Sequence, residues 1–226
     1  EEGSLPAFAS PEIATADLAG LALELAAWGT GEGLAFLTPP PAPALAEARV
    51  LLENLGALKD GRITPHGRAL AALPLHPRLG HMLLRAGRGA AELAALMAER
   101  DPIRGAPADL SLRLQALADP RGFAARHPYT PDRATLDRVG AEAKRLRRMV
   151  SGGSDLSPAA MAALAYPDRI GLRRRGDAPR FVLSGGKGAV VDEGDPLGAS
   201  RLIVAVDLDG DVREARVRIG AALDDA

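Results

Sequence analysis

Apolar residues recur at helical spacing near the start of the chain, where Ile13, Leu18, Leu21, Leu25 and Trp28 form a stripe. Ser10-Pro11 offers a cap and a first-turn proline and Gly29 offers a stop, so one helix is expected between them. Thr30 to Gly33 reads as a loop. Leu34 to Leu37 is an apolar link into Pro39-Pro40-Pro41, a stiff extended elbow rather than a PxxP ligand. Between Ala42 and Leu55 the positions Leu45, Ala48, Leu51, Leu52 and Leu55 mark a second amphipathic helix. The period then changes. Ala57-Leu58-Lys59 and Arg62-Ile63-Thr64 flank Asp60-Gly61, a hairpin signal because a type I′ turn needs positive φ at both central residues. Thr64-Pro65 starts a helix, Pro74 interrupts it, and Pro77 starts another carrying Leu79, Met82 and Leu83. Helix, hairpin and helix in this order make the core of a winged helix, which is a fold and not yet a function.

From Pro77 to about Ser151 the pattern is helical with short breaks. Gly87 to Gly89 separates the first helix from one over 90–100, and Asp101-Pro102 stops that one. Asp109 caps a short helix through Leu117, and 120–131 reads as turn-rich. A longer helix runs from Pro131 to about Val150. Past Ser151-Gly152-Gly153-Ser154, Ser157-Pro158 opens a last short helix through Ala165. Strands are expected at Phe181–Leu183 and Ala189–Val191, with a second hairpin formed by 202–207 and 212–219 across Asp209-Gly210.

Composition sets outer limits. The 226 residues are 47% hydrophobic with a formal net charge of −1, so the chain as a whole is not a polybasic binder. There is no cysteine, which excludes disulfides and thiolate metal sites. No apolar run approaches the ~20 residues of a membrane span. The near-zero total hides local polarity. The stretch 121–150 holds Arg121, Arg126, Arg133, Arg138, Lys144, Arg145, Arg147 and Arg148 against Asp132, Asp137 and Glu142. Residues 169–187 are likewise basic, with Arg173-Arg174-Arg175 and Lys187, and 192–226 are acidic.

At ~100° per residue, Arg133, Arg138, Lys144, Arg145, Arg147 and Arg148 fall within half the circumference of the 131–150 helix. Leu136, Val139, Ala143, Leu146 and Val150 take the other side. Such a face is either the solvated side of a core helix or a rail for phosphates, each contact releasing counterions.

Three apparent motifs carry no chemistry. Ser184-Gly-Gly-Lys187-Gly lacks the GxxxxGK[ST] order and lies between strands, so a hairpin turn is expected. Asp207-Leu-Asp209-Gly-Asp211 has its glycine two residues early for a calcium loop. His76 and His81 lack the HExxH arrangement, and no nucleophile–base set stands out. No catalytic residue and no metal site is expected.

An ordered set of short stretches nevertheless resembles the region after the second RecA-like domain of bacterial HrpB-type ATP-dependent helicases, of the DEAH-box class. These are Pro11-Glu-Ile13 with Asp17-Leu18, Leu23 to Gly29, Pro40-Pro41, Leu51 to Leu58, Asp60 to Gly67 and Leu73 to Leu79. Glu99-Arg-Asp-Pro102, Tyr166-Pro-Asp-Arg-Ile170 and Leu183 to Gly188 extend the match over nearly the whole chain. The resemblance implies a mainly α fold with a small β part. Residues 1–10 would be the tail of a preceding domain, 11–75 a winged helix and 76–150 a helical, HA2-type ratchet bundle. Residues 151–226 would be a short helix and a β-rich unit, OB-like and incomplete at Ala226.

It also implies a role. The ratchet bundle and β-rich unit of such helicases help enclose single-stranded nucleic acid, here RNA rather than DNA, while RecA-like motor domains bind ATP and Mg and move along it. The 131–150 helix takes the place of the family's long ratchet helix. Arg133, Arg138, Lys144, Arg145, Arg148, Arg173, Arg174, Arg175 and Lys187 are then the expected nucleic-acid contacts. The chain lacks a Walker A loop, a DEAH box and arginine-finger motifs, so it is expected to need no cofactor of its own and to have no ATPase activity alone. The expected setting is cytoplasmic, with no membrane partner. Two other readings stay open, a stand-alone winged-helix DNA regulator and a protein-interaction scaffold. The regulator would need a basic recognition helix, whereas 42–55 sets Arg49 against Glu47 and Glu53.

Overall fold

The computed structural model describes residues 11–29, 34–210 and 214–223, which fold as two compact units, 1–77 and 78–226. The expected tail 1–10, the Ser10 cap and the 30–33 loop lie outside the described residues.

In the first unit a single 3-10 turn, Glu12–Ala14, precedes α1 (Ala19–Trp28). The single long helix expected from Pro11 is therefore broken. Asp17 is the reason: its Oδ1 accepts the Ala19 N–H at 2.8 Å and starts the helix afresh. The buried side is Leu18, Ala19, Ala22, Leu23 and Leu25, and Trp28, expected in the stripe, is 73% exposed at the helix end. The next helix, α2 (Ala42–Asn54), buries Ala48 and Leu52. Strands β1 (Leu58–Lys59) and β2 (Arg62–Ile63) pair antiparallel, with Asp60 at φ 52° and Gly61 at φ 72°, the type I′ turn that Asp-Gly requires. Helix α3 (Pro65–Ala71) follows, its Gly67 N–H donated to Thr64 Oγ1 at 3.0 Å. A Cβ on Gly67 would lie 2.2 Å from the Ala57 carbonyl oxygen, so only glycine lets helix and hairpin meet.

The second unit begins with α4 (Pro77–Ala86) and continues through α5 (Ala91–Ala98), α6 (Leu110–Ala118), α7 (Pro120–Arg126), α8 (Arg133–Met149) and α9 (Pro158–Ala165). The stretch read as turn-rich is thus a helix. Asp119-Pro120 is its start: the Asp119 carboxylate accepts the Gly122 N–H at 2.9 Å and Pro120 sits in the first turn. Phe123 of this helix is fully buried with Ile103, Ala116 and Leu136. On α8 the buried residues include Leu136, Val139, Ala143 and Leu146, the side the periodicity assigned to the core.

Five strands then close into a barrel, β3 (Ile170–Arg173), β4 (Arg180–Leu183), β5 (Gly188–Val190), β6 (Leu202–Leu208) and β7 (Glu214–Leu223), in the order β3-β4-β5-β7-β6. The pairs are antiparallel except β5 with β7. This is the Greek-key arrangement of an OB fold, and the described strands already complete the ring where an unfinished unit was expected. Strand β3 supplies the closure; the sequence hid it because Ile170–Arg173 runs straight into the arginine cluster. Inward residues Phe181, Leu183, Ala189, Ile203, Ala205 and Val217 fill the barrel, and Ala108, from the loop before α6, packs among them. That loop is tied on both sides, with the Gly220 N–H donated to the Ala108 carbonyl at 2.8 Å and the Ala108 N–H to Asp195 at 2.6 Å. Among the described residues no helix is long and apolar enough to cross a membrane.

Candidate nucleic-acid interface

The 99–102 turn fixes the long helix. Glu99 accepts from Arg138 Nε at 3.0 Å, and Arg100 donates to Thr135 Oγ1 and Asp132 of the first turn of α8. Asp101 accepts two bonds from Arg113, at 3.2 and 2.6 Å, and one from the Ile103 N–H. Arg113 is 1% exposed and also donates to the Pro107 and Asp109 carbonyls, so its charge is fully partnered. The Arg138 hydrogen bond holds the Glu99 pKa below its ordinary value, and the Thr135 backbone N–H does the same for Asp132, the N-cap of α8.

Along α8 all six basic residues are exposed, but they are not equivalent. Arg138 is paired with Glu99, Arg145 with Glu142 at 2.6 Å, and Arg147 with Glu92 at 2.9 Å. Among the described residues Arg133, Lys144 and Arg148 meet no carboxylate. Lys144, Arg145 and Arg148, together with Asp137, line an open depression of about 600 Å3 whose floor includes Leu117, Pro120 and Leu136. Gly140 also lines it, and a Cβ there would meet nothing within 4 Å. Mid-helix glycine costs about 1 kcal/mol relative to alanine, and no packing contact requires this one.

On the barrel, Arg174 and Arg175 are exposed in the β3–β4 loop, and Lys187 is exposed in the β4–β5 turn. These lie at opposite ends of β4, so the structure does not gather them into one cluster. Arg173 is half-buried, paired in register with Phe181, and its Nε is buried without an acceptor. The arginines before β4 occupy the first interstrand loop, one of the positions through which OB barrels hold oligonucleotides. Leu172 and Val182, directly opposite each other on β3 and β4, are exposed beside it.

The Ser184–Lys187 turn does not fit a nucleotide phosphate. The N–H groups of Ser184, Gly185 and Gly186 already donate to the carbonyls of Ile170, Asp168 and Leu183, so they are not available to an anion. Among the described residues no three carboxylates or histidines converge on a metal position. His76 Nε2 instead lies 3.3 Å from Asp17, and Asp209 Oδ1 accepts the Arg216 N–H as part of a turn, while Asp211 of the calcium-like stretch lies outside the described residues.

Sequence reasoning passed over a second basic depression. About 540 Å3 in volume, it lies between the loop before α6 and the barrel, lined by Arg104, Tyr129, Arg216 and Arg218 among others. Arg216 and Arg218 share the outer face of β7 because strand residues two apart do so. That alternation was legible; the approach of Arg104 was not.

Comparison with known proteins places these elements. Residues 48–75, the end of α2, the hairpin and α3, match the model of the helicase associated domain (HA2), winged-helix. The ATP-dependent RNA helicase HrpB of Escherichia coli is 33% identical over 205 residues, 86% of this chain and 23% of that protein. A crystal structure of the E. coli DExH-box NTPase HrpB superposes on 98% of this chain with a TM-score of 0.75 at 33% identity, covering 26% of its own length. The chain is an HrpB-like C-terminal helicase region. The probable ATP-dependent RNA helicase DHX35 of Homo sapiens is 41% identical over 87 residues, 37% of this chain and 12% of that protein. The chain thus spans less than a quarter of the length of the curated relatives it matches.

Most stretches that carry the HrpB resemblance hold this fold together. Arg78, in the Leu73–Leu79 stretch, donates to Asp168 of Tyr166–Ile170, and the backbone of Ser184 and Gly185 is bonded to that same segment. Tyr166 lies under two guanidinium groups, Arg78 at 5.2 Å and Arg169 at 4.5 Å from its ring centroid.

Proposed function

We propose that this helicase accessory region helps grip a single nucleic-acid strand and position the RecA-like motor of its parent protein. The observation carrying the reading is the α8 depression, where Lys144 and Arg148 form no ion pair among the described residues and stand beside Gly140, with Asp137 also on the lining. A phosphate backbone lying along this side meets two unpaired cations, and the missing side chain at 140 allows close approach. The carboxylates on Arg138, Arg145 and Arg147 leave the rest of the face weakly held, because exposed ion pairs contribute little and exchange readily. With aromatic residues at 3% of the chain, backbone charge rather than base stacking supplies the affinity.

RNA is favoured over DNA because the relatives are named RNA helicases. ATP and Mg belong to the motor domains of the parent, whose ATP-dependent activity is cytoplasmic in this reading. The test is competition binding. The chain should prefer single-stranded RNA to duplex DNA of equal length; a duplex preference would instead favour a winged-helix regulator, and no binding at low salt a scaffold that holds only protein.

A further inference from the structure

We infer that the depression between the α6-leading loop and β7 is a second seat for the strand, holding one phosphate between Arg104 and Arg218 with the sugar–base portion against Tyr129. The inference rests on the single-strand reading above but on a different set of residues.

The charges around this depression separate cleanly. Asp101 is bonded to Arg113, Asp192 to Arg216, and Asp195 to the N–H groups of Ala108 and Leu197. Each acid is therefore occupied. Arg104 and Arg218 are exposed and, among the described residues, have no ion-pair or hydrogen-bond partner. They come from different elements: Arg104 from the loop between α5 and α6, where Gly105 turns at φ 71°, and Arg218 from the outward face of β7. Two unpaired guanidinium groups lining one concavity repel each other, so an anion there is stabilised by both.

Tyr129 sets the kind of anion. It is half-buried, its ring packs on the Ile103–Phe123 cluster, and its hydroxyl has no partner among the described residues. An aromatic edge held in a basic depression suits a nucleotide better than a bare phosphate. The depression of about 540 Å3 is large enough for one nucleotide. Because Ala108 and Gly220 lock loop and barrel together, Arg104 and Arg218 are held across the seam rather than on a mobile arm.

The experiment uses the whole chain with an oligouridylate carrying photoactivatable thiouridine, read by cross-link mapping and by anisotropy. Wild type should cross-link at Tyr129 or its neighbours. Arg104→Gln with Arg218→Gln should weaken binding about tenfold and lower the salt slope by about 0.7, the value for one single-strand phosphate. Lys144→Ala with Arg148→Ala should leave the Tyr129 cross-link in place. If that α8 variant loses binding while R104Q/R218Q binds like wild type and no cross-link falls near 104, 129 or 218, the second seat is wrong and the α8 reading stands. Binding sensitive to R104Q/R218Q but not to the α8 variant would keep the seat and remove the rail. Inorganic pyrophosphate that displaces nothing, alongside a cross-linked oligouridylate, supports a nucleotide seat. Equal displacement by pyrophosphate and by a uridine nucleotide overturns the role given to Tyr129.

Discussion

The Arg78 guanidinium sits bidentate on the Asp168 carboxylate, at 2.5 and 3.0 Å, while a third bond from it reaches the Ala165 carbonyl. Ninety residues apart in sequence, the pair ties the first helix of the second unit to the segment that enters the barrel. Arg78 is 8% exposed, so it depends on this partner. Asp168→Asn should lower the stability of the 78–226 unit by about 2 kcal/mol, less than for a fully buried pair because the aspartate side chain stays 41% exposed. Denaturant unfolding followed by circular dichroism measures the loss.

The same pair predicts a pH dependence. Burial alone would raise the Asp168 pKa, but the hydrogen bonds and charge of Arg78 outweigh it and the value is lowered. A depressed folded-state pKa contributes stability above the ordinary aspartate range, and that contribution is lost as pH falls through the folded value. The stability gap between wild type and Asp168→Asn should stay constant from neutral pH down to that range and close below it. A gap that widened on acidification would contradict the pairing.

In the winged-helix unit, Gly67→Ala would drive a methyl group into the Ala57 carbonyl and within 2.8 Å of Ile63 Cγ1. Backbone cannot yield there cheaply. A loss of about 2 kcal/mol is expected, with the cooperative melting of this unit shifted to lower temperature.

Gly140→Ala should act the other way. The added Cβ meets nothing, and helix propensity alone should stabilise α8 by about 0.5–1 kcal/mol. If the strand backbone approaches here, the stabler variant should bind single-stranded RNA more weakly, a combination that loss of fold cannot produce. Melting and anisotropy on the same sample separate the two effects.

Glutamates on and beside α8 restrain its arginines. Glu142→Gln should release Arg145 and tighten binding about twofold to threefold, most visibly at low salt. Weaker binding in this variant would mean that Arg145 touches no phosphate.

Much of this fold is written in short local signals. Asp60-Gly61, Thr64-Pro65, Asp109 and Ser157-Pro158 act through neighbours within a few residues, and each forms the turn or cap its chemistry requires. The failures were of two kinds. Asp119-Pro120 is a pair that ends one helix and begins the next, and only the burial of Phe123 decides that a helix follows. Strand β3 exists through pairing with β4 and β6, which no local pattern encodes. The candidate site divides similarly. The periodicity of α8 identified its basic face, but which cations are neutralised depends on Glu92 and Glu99 of another part of the bundle. Nor could spacing reveal that Arg104 and Arg218 line one depression.

The most direct test of the central claim is the salt dependence of single-stranded RNA binding, measured by anisotropy for wild type, Lys144→Ala/Arg148→Ala and Arg145→Ala/Arg147→Ala. The account predicts a linear fall of log affinity with log salt, a slope reduced by about 1.4 when the two unpaired cations are removed, and a smaller change when the paired arginines are. An identical slope in all three proteins would contradict it.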